Sequence, residues 1–203
     1  MVKVGFVVEG NCEKKLVESK DFRAIALGFG IEVCEPVIDA KGSGNLCVKN
    51  IEPYIRACKE QTTASVIFVL TDLECEPCFT EVRKRITGAM TDKVADIPQI
   101  AISRKAVEAW FLADTVAMKK WLRVHENKPF EVADPERTES RPFDKIRELA
   151  KEHGIPGPGT HKSFARKMIN TFGFSLERAA AHPKCQSAKY FLNKLRQAGK
   201  VGR

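Results

Sequence analysis

The chain has 203 residues, of which 43% are hydrophobic and 30% charged, an ordinary globular composition that excludes a disordered or fibrous protein. No apolar run approaches the roughly 20 residues that cross a bilayer, so we do not expect a membrane protein. Residues 2–8 predict a strand rather than a secretory signal. The seven cysteines, an odd number without a framework, fit a reducing cytoplasm better than a disulfide scaffold.

The formal net charge of +8 is concentrated in the second half of the chain. Residues 1–103 carry 13 basic and 15 acidic side chains, whereas residues 104–203 carry 21 and 11. A basic surface attracts polyanions such as nucleic acid, although the same residues also suit a solvated helical surface. Lys162, Arg166 and Lys167 share one predicted helix, and we expect them to contact nucleic-acid phosphates without reading the base sequence.

Strands and helices alternate along the first half of the chain. The predicted strands cover residues 2–8, 31–37, 65–70 and 97–102. Helices are predicted after Asn11, which would be the N-cap, over 46–58 and over about 77–89. Pro98 suggests that the last strand lies at an edge of the sheet. This order predicts an α/β fold with a mainly parallel four-stranded sheet flanked by helices.

The second half of the chain predicts helices. A long amphipathic helix is expected from Ser103, followed by a polar, proline-containing segment over 125–142 and a short helix over 144–153. Two basic helices over about 161–172 and 186–198 close the chain, with a short helix from Ser175 between them. We therefore expect a helical, basic C-terminal extension.

Acidic side chains follow two of the predicted strands at the points where the strands end. Glu9 follows the first strand and Glu13 comes one helical turn later, while Asp72 and Glu74 follow the third strand. Ligands of open parallel sheets bind at the carboxyl ends of the strands. Clustered carboxylates repel one another, and a hard divalent cation such as Mg²⁺ or Mn²⁺ relieves that repulsion. The alternative is that these acids are ordinary solvent-facing loop residues.

Three segments carry a resemblance to a known family. Segments 7–13 (VVEGNCE) and 68–74 (FVLTDLE) resemble the Toprim domain of topoisomerases, primases and OLD-type nucleases, which has Glu-Gly after its first strand and Asp-x-Asp after a later one. Segment 106–114 (AVEAWFLAD) looks like a motif of a small stand-alone Toprim-like family, some relatives of which lie beside ATPases in phage-defence systems. The resemblance implies a Toprim-like α/β domain over 1–115 and a helical, basic subdomain over 116–203 packed on it.

The resemblance also implies roles for the acidic residues. Glu9 matches the Toprim glutamate, a metal ligand or general acid/base, and Asp72 matches the first metal aspartate. Glu74 stands where the family usually has a second aspartate, so its carboxylate is one methylene longer. Glu13 falls where OLD-type sequences often keep a second glutamate. Glu13 or Glu108 would orient the attacking water or hold a second ion.

These observations lead to a hypothesis of a Mg²⁺- or Mn²⁺-dependent phosphodiester-cleaving enzyme, most simply a nuclease of the cytoplasm. Its catalytic residues would be Glu9, Glu13 and Glu108, and its metal ligands Glu9, Asp72 and Glu74. The alternative is a non-catalytic or partner-dependent subunit of a defence-type ATPase system that binds nucleic acid or protein through its basic helices. The sequence leaves open whether the substrate is DNA or RNA.

Two other features have structural alternatives. Cys75 and Cys78 form a lone C-x-x-C, and without a second ligand pair we expect free thiols rather than a zinc site or a redox disulfide. Asp114 interrupts the apolar stripe of the long helix, where it would act either near a metal or as a helix cap or salt-bridge partner.

Overall fold

The structure is a computed structural model that describes residues 1–46, 51–72, 80, 81, 84, 98–103 and 106–201. Glu74, Cys75 and Cys78 lie outside the described residues. The predicted helix over about 77–89 also lies outside them, except for residues 80, 81 and 84. The strands are β1 (Val2–Val8), β2 (Ile31–Val33), β3 (Ile38–Asp39), β4 (Val66–Asp72) and β5 (Pro98–Ser103). Helices lie between β1 and β2 and between β3 and β4, as the predicted alternation requires.

In the part of the chain described, the helices are α1 (Asn11–Val17), α2 (Lys20–Gly28), α3 (Ser43–Leu46), α4 (Ile51–Gln61), α5 (Glu108–Ala113), α6 (Thr115–Leu122), α7 (Pro142–Glu152), α8 (His161–Asn170), α9 (Leu176–Ala181) and α10 (Gln186–Val201).

The strands form one open parallel sheet in the order β2-β1-β4-β5. β3 also pairs with β1, beyond β2 on the same side, so β2 and β3 together fill one position of the sheet. The four-stranded parallel α/β prediction is therefore confirmed, and β5 lies at an edge of the described sheet. The single strand predicted over 31–37 is wrong in its extent, because Pro36 has no N–H to donate to a ladder and interrupts the pairing.

Alternating side chains of the central strands enter two separate cores. Phe6 of β1 and Phe68 of β4 belong to the larger core, whereas Val7 and Val69 belong to the smaller core on the opposite face. This alternation follows from the two-residue period of a strand. Helix α4 covers the smaller core with its buried side chains at four- and three-residue spacing, Ile51, Ile55 and Cys58. Both faces of the sheet are thus covered by helices.

The C-terminal helix α10 packs against the face of the sheet that carries the larger core. Phe191 of α10 stacks on Trp110 with ring centroids 5.4 Å apart, and it also contacts Phe22 and Phe68 at 6.0 and 6.1 Å. Trp110 Nε1 donates a hydrogen bond of 2.7 Å to Ser187 Oγ of the same helix. Residues on both sides of the predicted boundary at 115 therefore share one hydrophobic core.

The long helix predicted from Ser103 is wrong in its start, since Ser103 ends β5, and it is two helices, α5 and α6. Asp114 separates them because its backbone dihedrals of φ −82° and ψ 84° are not helical, and its carboxylate accepts a hydrogen bond from Ala117 N at the start of α6. The first helix also begins differently from the prediction. Gly10 rather than Asn11 is the N-cap of α1, and its N–H donates to the Glu13 carboxylate at 3.1 Å.

We expect Gly199→Ala to destabilise the protein by about 1–3 kcal/mol, because overpacking a closely fitted contact forces the backbone to move. A Cβ at Gly199 would lie 2.0 Å from the Phe29 carbonyl oxygen, which belongs to the turn between α2 and β2. Urea unfolding measures the loss. Gly157→Ala is the matched control, since a Cβ there meets nothing within 4 Å. Equal unfolding midpoints for the two variants would contradict the close approach of α10.

Within the described ranges, no helix combines the length and apolar character that crossing a lipid bilayer requires.

Candidate functional site

Two of the predicted acidic residues lie at the carboxyl ends of neighbouring strands. Asp72 is the last residue of β4, and Glu9 directly follows β1 and extends its ladder by donating its N–H to Leu70 O at 3.0 Å. The chain passes from β1 to β2 on one side and adds β4 on the other side, so the strand order reverses between β1 and β4. Open parallel sheets form their ligand crevice at such a point.

The Glu9 carboxylate is held in place by β4. Its Oε2 accepts a hydrogen bond of 2.6 Å from Thr71 Oγ1 and one of 2.9 Å from Asp72 N, and Glu9 is only 8% exposed. Asp72 Oδ1 in turn accepts from Val107 N at 3.1 Å, next to the start of α5. The two carboxylates are therefore fixed by backbone donors of the strands and of the segment that precedes α5.

Glu13 and Glu108 are a second pair of buried carboxylates, each 4% exposed. Burial, with the charges of Glu108 and Glu9 adding to it, raises the pKa of Glu13 from its ordinary value of 4.5 to about 8, against the lowering effect of backbone hydrogen bonds. Burial also raises the pKa of the Cys12 thiol far above its usual range, with Glu108 the next contributor. Cys12 Sγ donates to Glu108 Oε1 at 3.6 Å.

All four of these carboxylates line one cavity of about 980 Å³. Basic side chains line the same cavity, namely Arg141, Arg147, Lys162 and, when protonated, His161. The acidic residues come from the end of β1, the end of β4, α1 and α5, whereas the basic ones come from the start of α7, from α7 itself and from α8. Glu136, Glu139 and Asp144 also line the cavity beside these basic residues, so the helical side carries mixed charge rather than cations alone.

The structure brings together most, but not all, of the predicted site residues. Lys162 lines the cavity, whereas Arg166 and Lys167 are exposed on α8 and do not line it. The helical geometry explains this separation, because only the start of α8 lines the cavity. Arg166 lies about one turn further along the helix, and Lys167 lies further still and points in another direction. Their prediction as nucleic-acid contacts stays a prediction. Glu74 lies outside the described residues.

Of the two roles predicted for Asp114, the structure shows that of a helix cap and salt-bridge partner. It is fully buried, caps α6 and forms an ion pair with Arg178, whose Nε lies 2.8 Å from Asp114 Oδ1. It does not line the cavity.

Sequence reasoning did not single out His161 as a candidate site residue. Its Nδ1 lies 2.6 Å from Glu108 Oε1, and its ring stacks on Phe143 with centroids 3.7 Å apart and planes inclined by 18°. The partners are separated by 53 and 18 positions in the chain, so no local motif joins them. The one available signal was the position of His161 directly before a predicted nucleic-acid residue, Lys162.

The donor chemistry of Glu9 and Asp72 fits Mg²⁺ or Mn²⁺, because both ions favour carboxylate oxygens. Across the described residues, however, no group of three or more His, Cys, Asp or Glu side chains is close enough to hold a metal ion together. The third predicted ligand, Glu74, belongs to the segment that is not described. The described part therefore supplies two oxygen-bearing side chains at adjacent strand ends and not a complete ligand set.

Comparison of the chain with known protein families, with curated proteins and with solved structures gave no match.

We expect Glu13→Gln to remove a pH dependence from the stability of the metal-free protein. The raised pKa of about 8 means that folded Glu13 keeps a proton that the unfolded chain releases from about pH 4.5 upwards. The free energy of unfolding of the wild type should therefore fall as the pH rises through this window, and the loss should be complete above pH 8. Glutamine keeps an oxygen that accepts from Gly10 N but carries no charge.

Urea unfolding in EDTA at pH 5, 7 and 9 measures this difference. The stability of Glu13→Gln relative to wild type should rise across the series. Glu18→Gln is the control, since Glu18 is partly exposed just after α1 and pairs with Lys14 at 3.7 Å. A relative stability that stays flat for Glu13→Gln would show that burial and neighbouring carboxylates do not act on Glu13.

Proposed function

We propose that the chain is a Toprim-like, Mg²⁺- or Mn²⁺-dependent enzyme that cleaves phosphodiester bonds in nucleic acid. The observation that supports it best is the meeting of Glu9, Asp72, Glu13 and Glu108 in one cavity whose other side carries Arg141, Arg147 and Lys162. The carboxylates suit a divalent cation and the basic side chains suit phosphates. Cleavage of a phosphodiester with a divalent cation would use both groups, the carboxylates for the ion and the basic side chains for the phosphates.

Glu9 and Asp72 would hold the ion, together with Glu74. A bound divalent cation would lower the pKa of the attacking water and would stabilise the negative charge on the phosphodiester. Thr71 Oγ1 and Asp72 N keep the Glu9 carboxylate oriented, because both donate to its Oε2. These bonds fix the ligand before the ion binds, so little ordering entropy is lost on binding.

The basic side chains of the cavity would bind the scissile phosphate and its neighbours. Arg147 is itself held by Asp144, 2.6 Å from its Nη1, and its guanidinium lies 4.7 Å from the centre of the Phe143 ring. Lys162 is exposed and forms no ion pair with any described residue. An exposed lysine remains available to a phosphate, and the further basic residues of α8 would extend contact along the nucleic-acid backbone.

The test is cleavage of supercoiled plasmid, single-stranded DNA and single-stranded RNA by the full chain in Mn²⁺, Mg²⁺ or EDTA, together with calorimetric titration of Mn²⁺. We expect Mn²⁺ binding, cutting that needs the ion, and loss of both in Glu9→Gln. Absence of cutting together with absence of Mn²⁺ binding would overturn the proposal. The choice among the three substrates would identify the preferred nucleic acid.

A further inference from the structure

His161 is the one histidine among the described residues that lines the carboxylate cavity. Its side chain is 60% exposed, yet its orientation is determined on two sides, by Glu108 at Nδ1 and by the Phe143 ring. A long exposed side chain normally samples several rotamers, and a packed ring with one fixed hydrogen bond samples few. His161 is therefore preorganised on the wall of the cavity.

The direction of the hydrogen bond follows from the acceptor character of the Glu108 carboxylate. The Cys12 thiol also approaches Glu108 Oε1, at 3.6 Å, and a thiol acts there as the donor. An ionised Glu108 only accepts hydrogen bonds, so its 2.6 Å contact with His161 then requires a proton on Nδ1. In the neutral ring, Nε2 then carries a lone pair. Nε2 makes no hydrogen bond to any residue in the described part of the chain.

We propose that His161 is the general base of this cavity and that Glu108 is the residue that positions it, an inference that rests on the proposed phosphodiester cleavage. Nε2 accepts a proton from a water molecule while the oxygen of that water forms a bond to phosphorus. The bond from phosphorus to the leaving oxygen breaks, and the leaving oxygen keeps the electron pair and takes a proton from solvent. Glu108 keeps accepting from Nδ1 and stabilises the imidazolium that forms.

This role separates Glu108 from the two carboxylates at the strand ends. Glu9 and Asp72 are bonded to backbone N–H groups and the hydroxyl of Thr71, which leaves them suited to an ion. Glu108 is instead engaged by a histidine and a thiol. Glu108 thus orients the histidine, whereas the sequence predicted that it orients the attacking water itself or holds a second ion.

The experiment compares His161→Ala, Glu108→Gln and His153→Gln with wild type in the metal-dependent cleavage assay. Removal of a general base typically lowers the rate by about 10²–10⁴-fold, and we expect a loss in that range for His161→Ala. Free imidazole should restore part of the activity of His161→Ala and none of that of Asp72→Asn. His153→Gln should cleave like wild type, because His153 is an exposed histidine that does not line this cavity.

Nitrogen-15 NMR of the histidine side chains gives a second result that does not depend on cleavage. At a pH where the ring is neutral, His161 in the metal-free wild type should be the Nδ1–H tautomer. Glu108→Gln should change the His161 tautomer or its Nδ1 shift and leave His153 unaltered. This change distinguishes a positioning residue from one that merely stabilises the fold.

The outcomes separate the two proposals. Cleavage by wild type with wild-type activity in His161→Ala would overturn the assignment of His161 and leave the phosphodiester proposal standing. An Nε2–H tautomer in wild type, or loss of activity that imidazole does not restore, would also overturn it. Absence of cleavage by wild type with every metal, together with absence of Mn²⁺ binding, would overturn both.

Discussion

Asp72→Asn is expected to lower metal-dependent cleavage by at least about 10³-fold while the chain remains folded, since an ion that stabilises a phosphoryl transition state contributes several kcal/mol. Asparagine keeps an oxygen at the Oδ1 position, so the bond from Val107 N at 3.1 Å is retained. The substitution therefore removes the negative charge and keeps the local backbone contact. The expected effect is larger than that of replacing any single arginine or lysine that lines the cavity.

The measurement is the cleavage rate in Mn²⁺ beside the thermal midpoint of the same preparation. Asp39→Asn is a closely matched control, because Asp39 is also the last residue of a parallel strand and also accepts a backbone N–H, from Lys41 at 2.8 Å. It does not line the cavity. We expect Asp39→Asn to cleave like wild type.

If Asp72→Asn cleaved as fast as wild type, Asp72 would not be a metal ligand. The proposal that the metal site lies at the carboxyl ends of β1 and β4 would then be wrong. A loss of activity that accompanies a large drop of the thermal midpoint would assign Asp72 a structural role at the start of α5 instead. The two readouts together therefore distinguish a charge effect from a folding effect.

The strand-end carboxylates were predictable because the rules that place them are local. A buried apolar run ends where polar residues begin, and parallel strands present the same ends to one edge, so Glu9 and Asp72 follow from pattern alone. Their adjacency required only that β1 and β4 be neighbours, which the register between Val8 and Leu70 confirms. The position of each acidic residue at the end of its strand can therefore be read from the segment that contains it.

The basic side of the cavity was not predictable from the sequence in the same way. His161, Phe143 and Arg147 meet because α7 and α8 come together beside α5, and the packing of those helices depends on a core drawn from both halves of the chain. Helical periodicity shows which face of a helix is apolar but not which helix covers it. The break of the long helix at Asp114 is similar, since it depends on a partner 64 residues away.

That partner is Arg178, and Asp114→Ala is expected to destabilise the fold by about 2–6 kcal/mol, because two backbone donors lose their acceptor at about 1–3 kcal/mol each. Asp114 is fully buried and accepts from Arg178 Nε and Nη2, both at 2.8 Å, from Ser175 N at 2.8 Å and from Ala117 N at 3.2 Å. One carboxylate thus joins the start of α6 to the start of α9. Its loss leaves two backbone N–H groups without their acceptor and a guanidinium without its charge partner.

Urea unfolding at pH 7 measures the loss, and Glu148→Ala is the contrasting control. Glu148 pairs with Lys145 at 3.2 Å on the exposed face of α7, where an ion pair contributes only about 0–1 kcal/mol. Cleavage per folded molecule should be unchanged in Asp114→Asn, because Asp114 does not line the cavity. If Asp114→Asn stayed as stable as wild type but lost cleavage, Asp114 would act on the site itself. The loss would then reach the cavity through α5, which ends next to Asp114 and begins with Glu108.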